Sequence, residues 1–148
     1  MNARAQARSV ARLAAVQALY QHQMERTPLA KLLDEFHQHR LGREIDGEEP
    51  LAEPEIEFFD DLVQGAIARQ GEIDELLVAR LADGWTLARL DKTLLQILRC
   101  GAYELLARQD VPAASAISEY VDVAHAFFDE REAKFVNGVL DAVAKAAR

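Results

Sequence analysis

Arg4, Arg8 and Arg12 recur at every fourth position near the start of the chain. At 100° per residue, such spacing keeps three side chains within about 80° of one another on a helix. A row of guanidiniums can track successive phosphates, because each offers a planar, permanently charged fork of donors. The first acid in the chain is Glu25, so this opening stretch is purely basic although the net charge is −8. Much of the negative excess lies between Glu44 and Asp61, where nine acids stand without a base. Outside that block the chain is close to neutral. The asymmetry points to an anionic partner, with a plain solvated helix face as the competing explanation.

Other groups that could do chemistry are poorly placed for it. The seven glycines (Gly42, Gly47, Gly65, Gly71, Gly84, Gly101 and Gly138) are isolated, so no loop can cradle a nucleotide phosphate. No nucleophile elbow or zincin motif occurs. His37 and His39, two positions apart on a helix, point to different faces and read as surface histidines rather than a metal pair. The single cysteine, Cys100, lies in an apolar stretch and reads as a small packed residue. The acidic block lacks the spacing of a calcium loop. The expectation is a protein with no catalytic residue, no metal and no cofactor.

The elements that must position the arginines are helices. The chain has 148 residues, half of them hydrophobic, enough for one ordinary domain with a real core. Its apolar residues follow helical spacing nearly throughout, with no alternating β-branched run. A first helix is expected over about Arg4–Met24, burying Val10, Leu13, Val16, Gln17, Tyr20 and Met24 and turning the arginines to the opposite face. Thr27-Pro28 starts a second helix with the stripe Leu29, Leu32, Leu33 and Phe36. A long acidic loop over Leu41–Pro54 precedes a third helix from about Glu55, with Ile56, Phe59, Val63, Ala66 and Ile67 inward. Gly71 punctuates it, and a fourth helix carries Ile73, Leu76, Leu77 and Leu81.

Asp91 caps a fifth helix that is apolar on almost every side and therefore central. A sixth helix after Pro112 buries Ile117, Val121, Ala124 and Phe128, and a seventh over about Asp129–Ala146 buries Phe135, Val136, Val139, Leu140 and Val143. The fold class is all-α, with about seven helices. No apolar run is long enough to cross a bilayer and no leader pattern opens the chain, so a cytoplasmic protein is expected.

Three segments carry a family resemblance. They are Ala11–Gln21 (ARLAAVQALYQ), then LRCGAYEL from Leu98 with DVP at Asp110 and AISE at Ala116, and finally KFVNGVLD from Lys134. In this order and at these separations the chain resembles the NusB family of bacterial transcription antitermination factors over essentially its whole length. Two stretches depart from the family pattern. The opening arginine strip is thinner than the usual R-R-R-A-R, and Leu90–Leu95 lacks the charged pair of L-D-x-V-E-R. At position 131 an arginine stands where the family has an acid.

The resemblance implies two small helical bundles in a single domain of residues 1–148, the first about 1–83 and the second about 84–148. It implies binding to the single-stranded boxA element of ribosomal RNA leaders together with NusE, a small-subunit ribosomal protein, in an antitermination complex with RNA polymerase. The RNA contacts it implies are Arg4, Arg8, Arg12, Arg99, Lys134 and Phe135, with Tyr20 binding the protein partner. With so few cations the RNA affinity of the chain alone is expected to be weak, which gives a second protein an energetic role. Local readings compete: Phe135 as core, Asn137 as a helix–helix hydrogen bond, Gly138 as a close-packing point. The rival functions are a helical protein-interaction module that binds no RNA and the appendage of a ribosomal RNA methyltransferase, whose α/β catalytic domain these residues do not contain. A homodimer stays open.

Overall fold

A computed structural model describes residues 3–41 and 52–148. Among them are seven α-helices and no strand: α1 (Ala3–Glu25), α2 (Leu29–Phe36), α3 (Glu53–Ala68), α4 (Gln70–Val78), α5 (Lys92–Ala107), α6 (Ala113–Phe127) and α7 (Glu130–Ala147). A π-helical turn, His37–Leu41, prolongs α2, and a 3-10 turn, Leu87–Arg89, precedes α5. The helices fall close to their expected positions. Most of the acidic loop lies outside the described residues, while the Glu53–Asp61 part of the acidic block forms the start of α3. Carboxylates in that first turn suit the positive end of the helix dipole.

The chain divides into two compact units, Met1–Gln64 and Gly65–Arg148. The boundary therefore runs through α3, earlier than the expected division near residue 83. The reason is the packing of α4, which lies against α5 and α7. Ile73 and Leu77 bury its inner side.

In the first unit the buried set comprises the small face of α1, Leu32 and Phe36 of α2, Leu41, and Phe58, Phe59, Leu62 and Val63 of α3. Phe36 stacks on Phe59 with ring centroids 5.6 Å apart. His37 is tied into this unit as well: its Nε2 meets Asp60 Oδ1 and its ring lies edge-on to Phe59. It is thus a partly buried anchor between α2 and α3 rather than a solvated surface residue.

In the second unit α5 is central, packed by α4, α6 and α7, with every residue from Leu94 to Leu105 buried. Asp91 caps it as expected, its carboxylate accepting from the amides of Thr93 (2.8 Å) and Leu94 (3.2 Å). At its other end the Arg148 guanidinium donates to the carbonyls of Leu105, Arg108 and Val111 at 2.8–3.0 Å. Of these, Leu105 lies in the last turn of α5, where carbonyls have no intrahelical partner, and the other two tie down the turn that follows. In the centre Tyr120 donates to Glu104 at 2.8 Å, and Cys100 Sγ lies 3.3 Å from the same hydroxyl. All three side chains are sealed from solvent, so the cysteine belongs to a buried polar cluster. Gly138, expected at a close approach, faces open space.

Close approach occurs instead at Gly65, where a Cβ would fall on the ring of the buried Tyr103. Gly65→Ala gains about 1 kcal/mol of helix propensity but overpacks a ring that has nowhere to move, at about 1–3 kcal/mol. A net loss is expected, read as a lower urea midpoint with an unchanged m-value.

Candidate nucleic-acid interface

The arginine row and the Val10–Met24 stripe do lie on opposite faces of α1, but the face turned inward is the one that carries the arginines. Ala11, Ala15, Ala18 and Leu19 are buried, and Arg12 among them is only 4% exposed. Val10, Tyr20 and Met24, expected in the core, are 39%, 39% and 50% exposed. Leu13 and Gln17 between them are half-buried, and Val16, at the edge of the stripe, is buried as expected at 1% exposed. Alanine is the cause of the inversion: a stripe of small side chains buries little area per residue, but it lets the α1 backbone come close to its neighbours. Ranking faces by side-chain size chose the wrong one.

The arginines continue this alanine stripe toward the start of α1 and meet α3. The Arg8 and Arg12 guanidinium carbons lie 4.5 and 5.1 Å from the centroid of the Phe58 ring. Such contacts contribute about 0.5–1 kcal/mol at exposed sites and about 2 when desolvated. Arg4 Nε lies 3.6 Å from Glu55 Oε1, with its own side chain 70% exposed and that of Glu55 almost wholly buried. The row is graded: Arg4 exposed, Arg8 intermediate, Arg12 buried. The expected open strip of three arginines is corrected at Arg12, whose place in the core comes from the inversion of α1. Neither Phe58 nor Glu55 stood out in the sequence. Their only signal was i, i+3 spacing on the helix that follows the acidic loop.

The second unit holds the other expected contacts. Arg99 is 8% exposed and forms a bidentate pair with Asp74, Nε to Oδ1 and Nη2 to Oδ2, both at 2.9 Å. It joins α5 to α4 and does not present its guanidinium outward, which corrects its expected place on the RNA-binding surface. Lys134 is exposed and Phe135, the next residue of α7, is half-buried. Asn137 is exposed too, with no helix–helix role in its burial. The exposed Phe127, 6.4 Å from Phe128, ends α6, and Arg131 lies in the first turn of α7. Another exposed ring, Trp85, lies beneath Arg89, whose Nη1 donates to Gly84 O at 2.8 Å. Among the described residues no group of three side chains could hold a metal, and no helix is long and apolar enough to span a membrane.

The sequence profile of the NusB family matches residues 9–145. This chain belongs to the NusB family. The transcription antitermination protein NusB of Novosphingobium aromaticivorans is 69% identical over 142 residues, covering 96% of this chain and 95% of that one. NusB of Sphingopyxis alaskensis is 62% identical over 148 residues, covering 100% and 99%. These relatives are transcription antitermination proteins rather than enzymes. The fold is also that of solved NusB structures. NusB of T. maritima superposes with a TM-score of 0.80 at 31% identity, over 95% of this chain and 93% of that one. A crystal structure of antitermination factors NusB and NusE with double-stranded RNA gives 0.81 at 26% identity, over 95% and 98%. Within the NusB frame, the KFVNGVLD motif divides between buried Val136, Val139 and Leu140 and the outward Lys134, Asn137 and Gly138.

The Arg99–Asp74 pair generates a stability prediction. Asp74→Ala takes the bidentate acceptor from a nearly buried guanidinium, and a loss of about 2–3 kcal/mol is expected. That figure sits below the usual range for a broken buried pair because Asp74 keeps partial exposure. Chemical denaturation compared with the wild type measures it.

Proposed function

We propose that this NusB-family chain is a cytoplasmic antitermination factor that binds boxA RNA of ribosomal leaders jointly with NusE and acts on RNA polymerase to read through terminators. The observation that carries the reading is the graded arginine row of α1 in a chain similar to a NusB that was crystallised with NusE and RNA. The proposed RNA contacts are Arg4 and Arg8 in the first unit and Lys134 and Phe135 in the second. Cations hold the backbone phosphates, and the half-buried Phe135 ring offers stacking to an unpaired base. Arg12 and Arg99 serve by fixing helices and make no RNA contact in this reading.

The outward stripe of α1 supports a protein partner. Val10, Leu13, Tyr20 and Met24 present apolar area at helical spacing, with the Tyr20 ring as a natural anchor. NusE is the proposed occupant, and a second copy of this chain is the competing one. So few outward cations release few counterions, so RNA and NusE are expected to reinforce each other's binding.

Titrating labelled boxA RNA into the protein, with and without NusE, tests the assignment. Binding is expected to be weak alone, stronger with NusE, and to weaken as salt rises. Arg8→Ala and Lys134→Ala should each flatten the dependence of log K on log salt by about 0.7, the value for one single-strand phosphate contact. Absence of RNA binding in both conditions rejects the assignment in favour of a protein-interaction module. Tyr20→Asp should weaken NusE binding at least tenfold while leaving thermal unfolding nearly unchanged, because an exposed side chain supports little of the core. Equal NusE affinity, or a sedimentation shift showing that Tyr20 had held a homodimer, would place the partner elsewhere.

A further inference from the structure

We infer that Glu55 is an internal competitor for RNA phosphate: its carboxylate stands against Arg4 at the outer end of the α1 arginine row and holds down the RNA affinity of the first unit. The inference rests on the proposed RNA reading of Arg4 and Arg8 and adds a residue that opposes it. Glu55 lies in the first turn of α3, and Phe58 stands three positions further along the same side of that helix. Carboxylate and ring thus face the arginines together. Phe58 takes Arg8 and Arg12 on its ring, while Glu55 approaches Arg4 at 3.6 Å.

The geometry is that of a loose electrostatic contact, longer than a hydrogen bond. The Arg4 side chain is mostly in solvent, so its guanidinium can turn outward to a phosphodiester at little cost. Glu55 cannot turn with it, being 5% exposed. A phosphate arriving at Arg4 and Arg8 therefore meets a fixed negative charge behind the cations, in a setting that water screens poorly. A neutral side chain of the same shape would leave the cations in place and remove that repulsion. The helix dipole also favours a carboxylate at this position, so the residue serves α3 as well as opposing the RNA.

Glu55→Gln is the direct test, with Glu55→Asp as the charge-retaining control. In the presence of NusE, labelled boxA RNA should bind Glu55→Gln about three- to tenfold more tightly than wild type. The gain should change little with salt, because a nearly buried charge is screened far less than an exposed one. Glu55→Asp should stay near wild type. Unchanged or weaker RNA binding by Glu55→Gln overturns the inference. A lower unfolding temperature alongside weaker binding would identify Glu55 as the residue that orders the arginines instead. Equal gains in Gln and Asp variants also overturn it, because the effect would then follow geometry and not charge. Should wild type itself fail to bind RNA with NusE present, the proposed function fails first. Should wild type bind and Glu55→Gln bind no better, only the competitor role is lost.

Discussion

The seam between α1 and α3 holds guanidiniums, an aromatic ring and a nearly buried carboxylate where a helical bundle ordinarily places aliphatic side chains. A guanidinium gives up less hydration than an ammonium and can lie flat on a ring, so arginine can end a small-residue stripe without opening a cavity. Lysine in the same row would lose the stacked geometry on Phe58. Arg12 stays inside with the alanines, and the row becomes progressively wetter through Arg8 to Arg4. Burial anchors the inner end and solvent reaches the outer one. The same interaction that fixes α1 on α3 therefore determines which of its cations can meet an anion.

That seam also marks where the sequence could and could not be read. Helix positions followed from local signals that need no partner: the Asp91 cap, Pro28 and Pro112 at helix starts, and the all-round apolar run of α5. The inward face of α1 did not follow, because periodicity shows that two faces differ but not which one has a neighbour. Large residues on one side and alanines on the other gave the usual weighting the wrong sign. The fates of Arg12 and Arg99 were hidden for a related reason. Phe58 lies far along the chain from Arg12 and Asp74 lies 25 residues from Arg99, and nothing local to either arginine names its partner. The family motifs located the important helices more readily than the outward side chains on them.

The second unit shows how a motif can mix scaffold and surface. In α7 the residues at Val136, Val139, Leu140 and Val143 build the core against α5 and α6, while Lys134 and Asn137 share the same turns and face outward. Arg99 belongs to the scaffold. Its fork is matched to both oxygens of Asp74, and a group satisfied in that way would lose two charge-assisted hydrogen bonds before it could reach a ligand. Lys134 has no such commitment of geometry, since an exposed ammonium on a flexible stem can follow a backbone phosphate wherever it lies.

On the proposed reading, weak intrinsic RNA affinity is a consequence of how the chain is built. Few of the proposed contact cations remain outward once Arg12 and Arg99 are committed to packing, and Glu55 stands behind Arg4, the most exposed arginine of the α1 row. A protein with a dense basic strip would hold any RNA, since phosphate contacts carry no sequence information. A thin strip with an opposing carboxylate leaves the electrostatic contribution too small to act alone. The apolar stripe on the far side of α1 then offers what the basic face lacks, a surface whose burial by a second protein does not depend on salt. Separating the two faces by half a helical turn lets one partner dock without covering the other. Selectivity for a particular RNA then comes from requiring both contacts at once, with neither strong enough to act by itself.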